Sequence, residues 1–115
     1  MSHKIHSGDA ADLRKRVMKV KPSQALASHR EAIRRVVESH RACNARVFGS
    51  VVRGDDTEDS DLDLLIDPTP ETTLFDIGAI RHELLGLLGV QVDVLTPMAL
   101  PEQILEKVLA EAVPV

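Results

Sequence analysis

Two carboxylates interrupt one apolar run and a third interrupts another: Asp61 and Asp63 in Asp-Leu-Asp-Leu-Leu-Ile, residues 61–66, and Asp93 in Gln-Val-Asp-Val-Leu, residues 91–95. In an extended chain successive side chains point to opposite faces, so Asp61 and Asp63 share one face with Cβ atoms about 6–7 Å apart. Leu62, Leu64 and Ile66 point the other way, as Val92 and Val94 do opposite Asp93. An acid inside an apolar strand is costly to bury without a partner. Such strands call for a sheet whose apolar face is covered and whose acidic face opens into a pocket. If the two strands are neighbours, Asp93 lands beside Asp61 and Asp63.

The rest of the chain supplies the covering elements. Residues 22–41 read as a helix with Ser23 able to cap it and Leu26, Ile33, Val36 and Val37 on one face. Residues 45–49 read as a first strand, and residues 62–66 as a second, closed by Pro68-Thr69-Pro70. Thr73 with Asp76 has the spacing of a capping box, and Leu74, Ile77, Leu84 and Leu88 follow at helical intervals until Gly89. Residues 90–96 alternate as a third strand. Pro101 opens a last helix with an apolar stripe of Ile104, Leu105, Val108, Leu109 and Ala112, wider than a thin sheet needs and prolonged by the final Val-Pro-Val. The order α-β-β-α-β-α predicts an α/β (α+β) fold: a small mixed sheet of three to four strands with helices packed mainly on one face. Residues 22–115 form the domain. Residues 1–21, with six Lys/Arg and little apolar periodicity, read as a flexible basic arm.

Composition narrows the function. Phe48 and Phe75 are the only aromatics, so the core rests on Leu, Val and Ile. A net charge of −4 argues against nucleic-acid binding through a broad basic face. The single cysteine, Cys43, permits no internal disulfide and reads as a buried or idle thiol in a reducing compartment. No run approaches the ~18 apolar residues of a membrane span, and no apolar leader is visible, so the expectation is a cytoplasmic protein without a membrane partner.

Two carboxylates held side by side repel, and one has a raised pKa unless a cation sits between them. Mg²⁺ suits oxygen ligands of this kind, with water and substrate phosphates completing its octahedron. Upstream, Gly49 permits close backbone approach to a ligand, and the amides there, with the Ser50 hydroxyl, can hold a phosphate. Arg53 can pair with phosphate or with the local acids. Asp55, Asp56, Glu58 and Asp59 read as a solvated loop, and Ser60 as a local backbone partner. His82 reads as solvent-facing. A calcium-loop register starting at Asp59 fails, because Leu64 and Pro70 stand where Gly and Glu are needed.

Gly49-Ser50, ten residues, then Asp61-Leu62-Asp63 resembles the G-S-x10-D-x-D signature of the DNA polymerase beta-like nucleotidyltransferases. The fuller string, residues 49–66, is similar to that of the minimal nucleotidyltransferases, G-S-x-A-R-G-x5-S-D-x-D-L, with Val52 where that family commonly has alanine. The resemblance implies a polymerase beta-like nucleotidyltransferase fold over residues 22–115. It implies that Gly49 and Ser50 bind the triphosphate of ATP, with Arg53 as a helper, and that Asp61, Asp63 and Asp93 are catalytic and bind two Mg²⁺. Family members of this length commonly act as antitoxins paired with a HEPN-domain ribonuclease toxin, to a tyrosine of which they transfer AMP. Two other readings stay open. One is an antitoxin that neutralises by contact alone. The other is a small-molecule nucleotidyltransferase, against which the chain's shortness speaks. A homo-oligomer is compatible with either.

Overall fold

The computed structural model describes residues 19–115. The expected basic arm therefore lies, but for its last three residues, outside the described residues. Helix α1 spans Pro22–Ser39, strand β1 Ala42–Phe48, helix α2 Ser50–Arg53 and strand β2 Leu62–Pro68. Helix α3 follows at Leu74–Leu88, strand β3 at Val92–Leu95, a 3-10 turn at Pro97–Ala99, helix α4 at Glu102–Glu111 and strand β4 at Val113–Pro114.

The four strands form one sheet in the order β3-β2-β1-β4. β1 is antiparallel to both β2 and β4, whereas β2 and β3 run parallel. A parallel pair needs a long crossover, and α3 provides it. Its start is the expected capping box: Thr73 Oγ1 accepts from the Asp76 amide at 3.2 Å and Asp76 Oδ2 accepts from the Thr73 amide at 2.8 Å. Its end is Gly89 at φ 70°, in the left-handed region.

The expected covering of mainly one face is what the packing shows. Leu26, Ile33 and Val37 of α1 and Ile80 and Leu84 of α3 meet Leu62, Leu64 and Ile66 of β2, with Val92 and Val94 of β3. The three β2 side chains are wholly buried, each contributing about 1.5–3 kcal/mol relative to exposure. On the other face, Val108 of α4 closes a smaller cluster over Phe48 and Leu65, joined by Leu95, Leu100 and Ala112. The terminal helix thus covers one end of that face and leaves the acids open. Its stripe divides: Val108 is buried, while Ile104 and Leu109 are about half exposed. Among the described residues no helix is long and apolar enough to cross a membrane.

Several expectations need correction. β1 starts earlier than residue 45, because a bulge between Cys43 and Arg46 breaks the alternation that marks a strand. Cys43, at that bulge, is exposed rather than buried. The final Val-Pro-Val does not prolong the helical stripe. It pairs with β1 as the edge strand β4, a position where proline is tolerated. Asp56 is not solvated: it is buried, and its Oδ2 accepts from the Ser23 amide at 2.9 Å. A carboxylate from the distant loop therefore caps the first turn of α1, where Ser23 was expected to do so.

Candidate active site

β1 delivers the chain to Gly49, and the backbone there takes φ 80° and ψ −149°, a conformation essentially restricted to glycine. This bend starts α2, in which the Val52 and Arg53 amides both donate to the Gly49 carbonyl at 3.1 Å. Val51 and Val52 pack partly buried against the main core. Val52, which stands where the signature it resembles has alanine, is therefore accommodated under the loop. Glycine is required at 49 for a second reason. A Cβ there would lie 2.3 Å from Asp63 Oδ2, far inside van der Waals contact. The loop backbone is thus seated directly on the Asp63 carboxylate.

The acids come together by register. Asp63 of β2 pairs with Asp93 of β3 across the parallel ladder, and with Phe48 of β1 across the antiparallel one. Asp61 precedes Asp63 by two residues and so shares its face. Asp61 and Asp93 are exposed and Asp63 is half-buried. Burial pushes the Asp63 carboxyl up to about 6, and the charges of Asp93 and Asp61 push the same way, with Arg53 opposing them and Glu111 adding to them. Further along this face Asp67 is neutralised by Arg46, 2.6 Å away. Among the described residues no three His, Cys, Asp or Glu side chains stand close enough together to hold a metal ion as they are. The backbone thus aligns the three acids without closing them into a ligand set. The donors are all hard carboxylate oxygens, Asp63 is disfavoured as an anion by burial and by the charges of its two neighbours, and the residue that approaches it most closely is a glycine with no side chain to cover it. Those three features fit a divalent cation of the Mg²⁺ type.

This strain has a pH signature. The folded state holds the Asp63 proton up to about pH 6 and the unfolded chain only to its ordinary 3.8. The folded state therefore binds more protons between those values, and stability falls as pH rises through that window. Asp76 and Asp56 act oppositely. The Thr73 amide holds Asp76 below its ordinary value, and for Asp56 the upward push of burial is outweighed by the bond from Ser23. Their contribution is lost only as pH falls below about 4. We expect the metal-free protein to melt at a higher temperature at pH 5 than at pH 7.5, and Asp63→Asn to flatten that difference. Thermal denaturation at the two pH values checks it.

Ser50 lies at the first position of α2, half-buried beside the acids' loop. Arg53 pairs with a local acid, as expected, and with a distant one. Its Nη1 donates to Glu111 Oε1 at 3.1 Å, and its Nε lies 3.8 Å from Asp55 Oδ2. Ser60 is a local partner as expected, its hydroxyl accepting from the Thr57 amide at 2.9 Å, and His82 is exposed. Sequence reasoning missed Glu111. Its Oε2 accepts from the Gly49 amide at 2.7 Å, so one carboxylate bridges Gly49 and Arg53. No local pattern marks it, since its partner lies 62 positions away.

The nucleotidyltransferase domain family matches residues 29–115, a span that holds the glycine-seated loop, the Asp-x-Asp strand and the parallel-paired third acid. The chain belongs to that family. A relative, the protein adenylyltransferase MntA of Thermococcus cleftensis, is 36% identical over 88 residues, covering 76% of this chain and 86% of its own. A solved structure described as a candidate minimal nucleotidyltransferase is 43% identical, with a TM-score of 0.74 over 81% of this chain and 95% of that one. A toxin–antitoxin structure with AMP-PNP shares the fold at 15% identity, with a TM-score of 0.61 over 70% of this chain and 66% of that one. As a nucleotidyltransferase this chain places the expected polymerase beta-like fold beneath the signature from which it was read.

Proposed function

We propose that this nucleotidyltransferase is the antitoxin of a toxin–antitoxin pair and transfers AMP from ATP to a tyrosine of a HEPN-domain ribonuclease, with Mg²⁺ required. One observation carries the reading: the Gly49 backbone rests on Asp63, and Asp63 is paired in register with Asp93. A phosphate-binding loop is thereby set against the acids that serve the transfer. The MntA relative, named as a protein adenylyltransferase, supports the choice of reaction. The AMP-PNP complex of a protein with this fold supports the nucleotide. No tyrosine occurs in these 115 residues, so a tyrosine acceptor lies outside them, as the proposed ribonuclease partner requires. The exposed Ile104 and Leu109 of α4 offer apolar surface for that encounter. ATP as donor and a ribonuclease as target place the reaction in the cytoplasm.

Each residue has a part. Gly49 and Ser50 hold the triphosphate, Gly49 through its amide and Ser50 through its hydroxyl, and Arg53 offers it a positive charge. Asp61, Asp63 and Asp93 would hold two Mg²⁺, which when bound offset the carboxylate repulsion, lower the pKa of the acceptor hydroxyl and stabilise the pyrophosphate leaving group. Asp93 takes the acceptor's phenolic proton as its oxygen forms a bond to the α-phosphorus and the bond to the β-phosphate oxygen breaks. The products are AMP-tyrosine and pyrophosphate.

The test is mass spectrometry of the co-expressed ribonuclease. Adducts of AMP on tyrosine are expected with the wild-type chain and none with Asp93→Asn. Neutralisation without any adduct, achieved equally by Asp61→Asn, would replace the reading with that of an antitoxin acting by contact alone.

A further inference from the structure

We infer that Glu111 is an internal anion seated on the triphosphate's donors, which an incoming nucleotide must displace, so that this residue sets how tightly the pocket takes ATP. The inference rests on the reading of Gly49 to Arg53 as the phosphate cradle. Two separate donors of that cradle, the Gly49 amide and the Arg53 guanidinium, are taken by the two oxygens of one carboxylate, at 2.7 Å and 3.1 Å. A phosphate would bridge the same donors in the same way.

Nothing in local energetics asks for an acid at this position. Glu111 is the last residue of α4, where the helix end already carries partial negative charge and a cation would be favoured. It also stands near Asp63, whose carboxyl it helps to push up. An acid placed against both a helix C-terminus and an acidic cluster is held there by what it receives from Gly49 and Arg53. The backbone keeps it in reach. Directly after Ala112 the chain enters β4, and Val113 and Pro114 are locked in register with Val47 and Arg46 of β1. The carboxylate is therefore delivered to the loop by the strand beside the one that ends in it. Binding of a triphosphate and retention of Glu111 on these donors exclude each other, and by linkage nucleotide binding frees the end of α4.

The experiment is calorimetric titration of ATP with Mg²⁺ into the wild type, Glu111→Gln and Asp55→Asn. Glutamine keeps the shape of the side chain and can still accept from the Gly49 amide, but its charge is gone. The expected result is an about tenfold lower Kd for Glu111→Gln, the scale of a lost charge-assisted bond. Its unliganded melting temperature should be no higher than that of the wild type. A purely structural role would lower stability with and without nucleotide and leave Kd unchanged. Asp55→Asn removes an equal charge beside Arg53 without touching the Gly49 amide, so its Kd should stay near the wild-type value. Equal or weaker binding by Glu111→Gln overturns the inference, as does equal tightening by Asp55→Asn. Asp61→Asn run in parallel separates the two readings. If the wild type binds in a manner that needs Asp61 while Glu111→Gln binds no tighter, only the role of Glu111 falls. If neither the wild type nor Glu111→Gln binds ATP, the cradle itself is wrong.

Discussion

Gly49→Ala is expected to cost about 3 kcal/mol or more of folding stability and to abolish nucleotide binding. Two penalties combine at this position. A side chain forced into the Gly49 conformation costs about 1–3 kcal/mol in backbone strain. The new methyl carbon would also lie 2.3 Å from Asp63 Oδ2, so either the loop or the carboxylate has to move. Movement of the loop pulls β1 and α2 away from β2, and movement of the carboxylate breaks the alignment with Asp93. Against a typical domain stability of about 5–15 kcal/mol the loss is large. Urea denaturation measures it, and a double-mutant cycle divides it. Asp63→Ala in the Gly49→Ala background should recover the part due to the clash and leave the backbone strain. If the double variant recovers nothing, the close approach of loop and carboxylate is not the cause.

The second large effect concerns the acids, and its two readouts have opposite signs. Asp61→Asn with Asp63→Asn should reduce transfer by about a thousandfold or more, the loss of several kcal/mol of metal-assisted stabilisation. The same change should raise the stability of the metal-free protein at neutral pH, because it removes the half-buried Asp63 charge, which burial and the neighbouring acids disfavour, together with the Asp61 charge beside it. In the wild type, ATP with Mg²⁺ at a hundredfold excess over Kd should stabilise the fold by about 2.7 kcal/mol through binding linkage. In the double variant that gain should vanish. Thermal denaturation with and without ATP and Mg²⁺ reads both effects in one series. A variant that is destabilised without ligand, or that keeps the nucleotide response, contradicts the assignment of Asp61 and Asp63. Residues that are costly to the fold and indispensable to the chemistry are expected where a site is built at the expense of stability.

Much of this was legible in the residues themselves because the relevant order is local. Alternation at period two assigns Asp61 and Asp63 to one face of β2 and Leu62, Leu64 and Ile66 to the other, whatever the strand's neighbours are. The Thr73 and Asp76 box, the stop at Gly89 and the buried face of α1 follow in the same way from spacing along a single helix, whereas on α3 Leu84 and Leu88 are buried as expected but Leu74 is exposed and Ile80 takes a core position instead. The ten-residue interval between Ser50 and Asp61 carried the family resemblance, and with it the fold.

What tertiary structure alone decided is the set of partners that lie far apart in the chain. The pairing of Asp63 with Asp93 depends on α3 carrying β3 back parallel to β2, a choice among several sheet orders that alternation does not distinguish. The edge strand Val113–Pro114 has no strand pattern of its own, being two residues with a proline, and exists because β1 offers it an edge. Asp56 looked like one more solvated acid until the loop folded back onto the first turn of α1, and only then did its charge meet an unpaired amide. Arg53 had several acids within a few residues, and the fold gave it Asp55 nearby and Glu111 from the end of the last helix. A short-range pattern reports which face a side chain occupies. Which charge it meets on that face depends on contacts between distant segments, and those are settled by packing the whole core at once.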